Sequence, residues 1–145
     1  MLAAAHAAGV EVEVRPRPRA RSLEESAAGL GITPGEIGKT LVVRRSGGAY
    51  ILAVVPGDRS LAWPKLRAAT GANRLSLPEA DEALSATGYV RGTITPLGAG
   101  GWPVYVDSSL AGRTVALGSG SPDHAAFVAV DDLVASLGAT LVDLT

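Results

Sequence analysis

Residues 39–45, KTLVVRR, are followed by Ser46-Gly47-Gly48 and then by 49–55, AYILAVV. Two apolar, β-branched runs joined by a short Gly-rich connection predict an antiparallel hairpin. The second run is apolar on both faces, so it belongs in the middle of a sheet. Upstream, Ser22-Leu23-Glu24-Glu25 and Thr33-Pro34-Gly35-Glu36 each have the spacing of a capping box, the second with Pro at the first helical position. The first predicts a helix to about Leu30 that stops at Gly31, and the second a short turn. Residues 2–8 predict a helix ending at Gly9. Val10, Val12 and Val14 alternate with Glu11 and Glu13, which predicts a strand.

Downstream of the hairpin, Pro56-Gly57-Asp58 turns the chain. Helices are expected over about 61–69 and 78–86, with a brief strand at 74–77. Further strands are expected around 92–96, 103–107, 113–118 and 125–130. Asp131 is expected to cap a short C-terminal helix, before a last strand at 140–144. The order is not a regular βαβ series. It predicts the α+β class, with a curved, mixed, mainly antiparallel sheet packed by several helices. At 145 residues, one domain over 1–145 is the natural count.

Composition removes several chemistries. There is no cysteine, which excludes a thiolate nucleophile, a disulfide framework and a Cys-ligated metal. His6 and His124 are the only histidines, too few for a multi-histidine centre within one chain. Neither a metal nor a cofactor is called for. No apolar run approaches the roughly 20 residues that cross a bilayer, so a membrane partner is not expected and a cytoplasmic location is the default. Gly38-Lys39-Thr40 resembles the end of a phosphate-binding loop, but Thr33 stands where that loop needs its first glycine.

The net charge is −1, yet Arg15, Arg17, Arg19 and Arg21 fall within seven residues. Spaced by two in an extended segment, they would form one ridge of charge suited to phosphates. Arg44 and Arg45 at the hairpin are further candidates for nucleic-acid contact, against an ordinary surface role. Trp63 and Trp102 read as core or rim packing.

Taken in order, EIGKTLVV, PGD (56–58), KLRAATG (65–71), TGYVRGTITPLG (87–98), VYVDSSL (104–110) and GSGSPDHAAFVAVDDL (118–133) resemble the YbaK/ProX-type aminoacyl-tRNA deacylase family. That family includes the editing domain inserted in bacterial prolyl-tRNA synthetases. The resemblance covers about residues 2–144. It implies a free-standing trans-editing hydrolase acting on mischarged aminoacyl-tRNA, with an aminoacyl-tRNA synthetase as a further partner. The family's lysine falls on Lys39, its G-x-x-x-P loop on Gly92 to Pro96, its strand-end aspartate on Asp107, and the histidine after a Gly-rich loop on His124. Thr93 stands where the family often has a second glycine.

On this reading Lys39, Gly92 and His124 carry catalysis. Thr40, Thr93, Pro96, Asp107, Gly118, Gly120 and Ser121 line the substrate site. An aminoacyl ester is already activated, so holding it, stabilising the oxyanion and placing a water suffice. Gly92 and the 118–120 loop are the backbone donors expected there. Lys39, a cation, suits the ester carbonyl, ribose oxygens or terminal phosphate, not the substrate's amino group. The alternative reading is a non-catalytic tRNA- or synthetase-binding module of the same fold. A third is a small-molecule ester or amide hydrolase. Alanine, serine, threonine and cysteine are all open as the amino acid removed, and the oligomeric state is open too.

Overall fold

The computed structural model describes residues 1–90, 92–98 and 101–145. The hairpin is the centre of the fold. Strand β2 (Gly38–Arg45) pairs antiparallel with β3 (Tyr50–Pro56), with Lys39 opposite Val55 and Val43 opposite Ile51. On the other side of β3, β5 (Val104–Asp107) and then β8 (Thr140–Val142) add in parallel, while the two-residue β4 (Leu75–Ser76) closes the β2 edge. This five-stranded sheet has the order β4-β2-β3-β5-β8, so β3 is its middle strand. A second, antiparallel sheet has the order β1-β7-β6, from β1 (Glu13–Pro16), β7 (His124–Ala129) and β6 (Thr114–Gly118). The two sheets meet at one parallel bridge, Ile37 with Ala116. The class is α+β, with mixed sheets as expected.

Strand alternation sorts the core into two sides. Val42, Leu52 and Val54 face one cluster with Leu117, Val115 and Leu133. Val43, Ile51, Ala53 and Val55 face another with Leu66 and Leu144. Each buried Val, Leu or Ile contributes about 1.5–3 kcal/mol of transfer free energy. The doubly apolar pattern of 49–55 is therefore explained by burial on both faces. Helices α1 (Leu2–Ala8), α2 (Leu23–Leu30), α3 (Trp63–Thr70), α4 (Ala80–Thr87) and α5 (Val130–Leu137) flank the sheets. Trp63 packs on the second cluster and Trp102 on the first, where its ring lies 4.9 Å from that of Tyr50. None of these helices is long and apolar enough to cross a membrane.

Ser22 caps α2 by accepting the Glu25 N–H at 3.1 Å, while the Glu25 carboxylate accepts the Arg21 N–H at 3.0 Å. At Thr33 the Glu36 carboxylate accepts both the Thr33 N–H, 3.1 Å, and its hydroxyl, 2.9 Å. That pins a single 3₁₀ turn, Pro34–Glu36, just ahead of β2.

Three expectations are corrected. No strand forms around 92–96. The Thr93 N–H and hydroxyl both donate to the Val90 carbonyl, at 3.0 and 2.7 Å, and Thr95 Oγ accepts the Leu97 N–H at 3.2 Å. Threonine hydroxyls bonding local backbone compete with a strand ladder, although the Thr-Ile-Thr alternation mimics one. Asp131 does not cap the C-terminal helix. Ala129 holds that position, and Asp131 accepts the Gly112 N–H from inside the first turn at 3.0 Å. The strand expected over Val10–Val14 begins pairing only at Glu13 and runs on through Pro16, which a sheet edge tolerates.

Candidate active site

The candidate residues on β2 and β6 lie where the two sheets meet. Beyond the Ile37–Ala116 bridge, two further residues along each chain lead to Lys39 on β2 and Gly118 at the end of β6. Gly118 is required by packing. A Cβ there would sit 2.2 Å from the Ile94 carbonyl oxygen and 2.7 Å from the Thr93 carbonyl carbon. The backbones of the 92–96 and 118–120 loops are therefore in direct contact, and the Gly120 N–H ties them by donating to the Thr93 carbonyl at 2.9 Å. Gly120 has φ +85°, which favours glycine, and its Cα faces the Tyr89 ring.

Lys39 opens β2 opposite Val55, on the side of the Val43–Ile51–Leu66 cluster. Its ammonium donates to the Arg59 carbonyl at 2.8 Å. The Pro56–Asp58 turn places that carbonyl. Arg59 N–H donates to Pro56 O at 3.1 Å, and Gly57 N–H to Ile37 O at 2.8 Å. An ammonium has three donors, so two are without a partner among the described residues. Thr40 leaves the strand on the opposite face, opposite Val54 and on the side of Gly38, which packs on Leu117. Its Oγ is buried and, among the described residues, has no hydrogen-bond partner. An unsatisfied buried hydroxyl costs about 1–3 kcal/mol, which is unusual without a role.

The loop after β6 is held by its own serines. Ser119 Oγ donates to His124 O at 2.8 Å, and Ser121 Oγ accepts the Asp123 N–H at 3.2 Å. His124 is exposed, with Nδ1 3.4 Å from Ser121 Oγ. Pro96 is buried in the neighbouring loop, and Gly92 is exposed. The Thr93 hydroxyl points its hydrogen at Val90 and not into open space. Of the backbone donors expected for an oxyanion, the Gly120 N–H is already engaged.

Asp107 is not beside Lys39. The β3–β5 register puts it level with Val55, so it lies two strands from Lys39 on the same face, about 10 Å away. It is 1% exposed and accepts the Leu144 N–H at 2.7 Å, the Thr145 hydroxyl at 3.2 Å and the Ser109 hydroxyl. Those bonds tie the C-terminal segment to β5.

The arginine ridge is partly neutralised. Arg15 pairs with Glu13 at 2.8 Å and stacks 4.1 Å over Phe127. Arg17 donates to the Pro122 carbonyl at 3.1 Å, and Arg19 lies 3.5 Å from Asp123. The tract adjoins the 118–124 loop through the Arg17 N–H, which donates to Asp123 O at 2.7 Å. Arg44 pairs with Glu82 at 2.7 Å, and Tyr50 donates to the same carboxylate at 3.1 Å.

Two groups escaped the sequence reading. Tyr89 walls Gly120, and its signal was its place just before Gly92. Ser119 is buried and locks the loop, but in GSGS nothing distinguishes it from Ser121. A hollow of about 700 Å³ between α1 and β7, lined by His6, Glu13 and Phe127, is away from the β2–β6 seam. Among the described residues no three His, Asp or Glu side chains are grouped to hold a metal.

The relatives of this α+β domain fall in one class, the aminoacyl-tRNA editing domains. The profile of the aminoacyl-tRNA editing domain matches residues 17–135, and the chain belongs to that family. It is 36% identical over 77 residues, 53% of this chain and 47% of the relative, to "Putative Cys-tRNA(Pro)/Cys-tRNA(Cys) deacylase EbsC" of Enterococcus faecalis. It is 34% identical over 123 residues, 80% of this chain and 21% of the relative, to a proline–tRNA ligase of Pelotomaculum thermopropionicum. The chain thus spans about half or less of the length of the curated relatives it matches. A crystal structure described as "a putative trans-editing enzyme for prolyl tRNA synthetase" superposes with a TM-score of 0.88 at 28% identity, covering 99% of this chain and 92% of that one.

Proposed function

We propose that the chain is a trans-editing hydrolase that removes the amino acid from mischarged aminoacyl-tRNA by water attack on the ester. The observation that carries this reading is the seam itself. Lys39 has one of its three ammonium donors bonded among the described residues, and it follows by two residues the bridge from Ile37 to β6, the strand that runs into the glycine loops in backbone contact. The ester carbonyl would lie within reach of Lys39, whose fixed charge would stabilise the oxyanion. The apposed loops would bound the amino acid and terminal ribose. His124 would orient a water or contact the ribose, and among the described residues its ring meets only Ser121. Direct hydrolysis is favoured over a covalent intermediate because, among the described residues, Thr40 Oγ has no partner and Ser121 Oγ meets His124 Nδ1 only at a long 3.4 Å while accepting the Asp123 N–H. The solved relative supports action in trans, and a synthetase is the natural partner for delivering the substrate.

The test is a deacylation panel with alanyl-, seryl-, threonyl- and cysteinyl-tRNA mischarges, with cysteine tried first because of the Enterococcus faecalis relative. Hydrolysis of at least one member supports the proposal. Tight tRNA binding without hydrolysis of any would replace it with the binding-module reading.

A further inference from the structure

A hollow of about 600 Å³ lies at the far end of β2, lined by Arg45, Ser46, Ala49, Asn73 and Arg74 with Gly71 and Ala72. The β2–β4 pairing builds it. Arg45 is opposite Leu75, so the residue before β4, Arg74, is carried to the hairpin tip. Arg15, Arg19 and Arg44 each lie within 4 Å of a carboxylate. Arg45 and Arg74 do not, among the described residues, and Ser46 and Asn73 add neutral hydrogen-bonding groups.

We propose that this hollow is an anchor for the sugar-phosphate backbone of the RNA substrate. Two guanidinium groups without carboxylate partners, flanked by a hydroxyl and an amide, match the chemistry of phosphate oxygens. Its position gives it a specific part of the RNA. Arg45 and Lys39 lie at the two ends of β2, six residues apart, which is about 20 Å along a strand. That distance corresponds to about six stacked nucleotides at 3.4 Å each. With the ester at Lys39, the anchor meets phosphates of the acceptor duplex, beyond the unpaired 3′ end. It would then set how deeply the 3′ end enters the site. The placement rests on the proposed editing function; the binding of RNA by the hollow does not.

The experiment measures binding of uncharged tRNA by the full chain against salt, for wild type, Arg45→Gln/Arg74→Gln and Arg45→Lys/Arg74→Lys. Melting curves confirm that each variant folds. Each lost phosphate contact should flatten the log–log salt slope by about 1, and the Gln pair should weaken binding roughly tenfold at low salt. The Lys pair should keep most of the slope. An unchanged affinity and slope in the Gln pair would overturn the anchor. A wild type that deacylates nothing, with the Gln pair still losing affinity and slope, would sink the hydrolase reading and leave the anchor standing.

Discussion

Lys39 and Gly118 make separable claims. Lys39 is half-buried at a strand end with one bond to a carbonyl, so little of the fold depends on it. Lys39→Ala should abolish deacylation and leave the melting temperature within about 3 °C, a shift worth about 1 kcal/mol at this size. A large loss of stability would make the lysine structural. Gly118→Ala should do the reverse first, because its Cβ would press on the Ile94 carbonyl. The expected cost is about 1–3 kcal/mol by chemical denaturation, with the loops forced apart. Thr40→Val removes an unsatisfied buried hydroxyl at constant shape. It should raise stability by about 1 kcal/mol, and a fall in activity alongside would show that the hydroxyl serves the substrate.

Among the elements, the 3₁₀ turn before β2 carries a pH dependence. Bonds from the Thr33 N–H and hydroxyl hold the Glu36 carboxyl below its ordinary value of 4.5. A lowered carboxylate stabilises the folded state above its unfolded value, and that contribution is lost as pH falls through the folded value. The melting temperature should therefore fall below about pH 4.5, and Glu36→Gln should flatten part of that fall. At Asp107 the expected outcome is structural: Asp107→Ala orphans the Leu144 N–H and should cost about 1–3 kcal/mol. These elements also show what was legible. The hairpin could be read because AYILAVV has no polar face, and α2 because its cap and stop residues are local signals. The 92–96 loop was misread because Thr-Ile-Thr has the period of a strand, and only the hydroxyl bonds to Val90 and Leu97 distinguish the two.

For the whole molecule, the order of motifs identified the family, but the joining of two sheets at Ile37 and Ala116 could not be read. It depends on contact between residues 79 positions apart in the chain, including the fit of Leu117 against Gly38. The same holds for charge. Spacing alone made a ridge of Arg15, Arg17, Arg19 and Arg21, whereas folding gives several of them protein partners. Replacing all four with Gln should weaken tRNA binding and flatten its salt dependence if the ridge follows the RNA backbone. If neither changes, the ridge serves to fix the 118–124 loop. The central claim is hydrolysis at the seam, and the most direct measurement is release of the amino acid from the mischarged tRNA panel by wild type and Lys39→Ala at equal, folded concentration. The expected result is release from at least one tRNA by wild type and none above background by the variant. Equal release by both, or none by wild type, would contradict it.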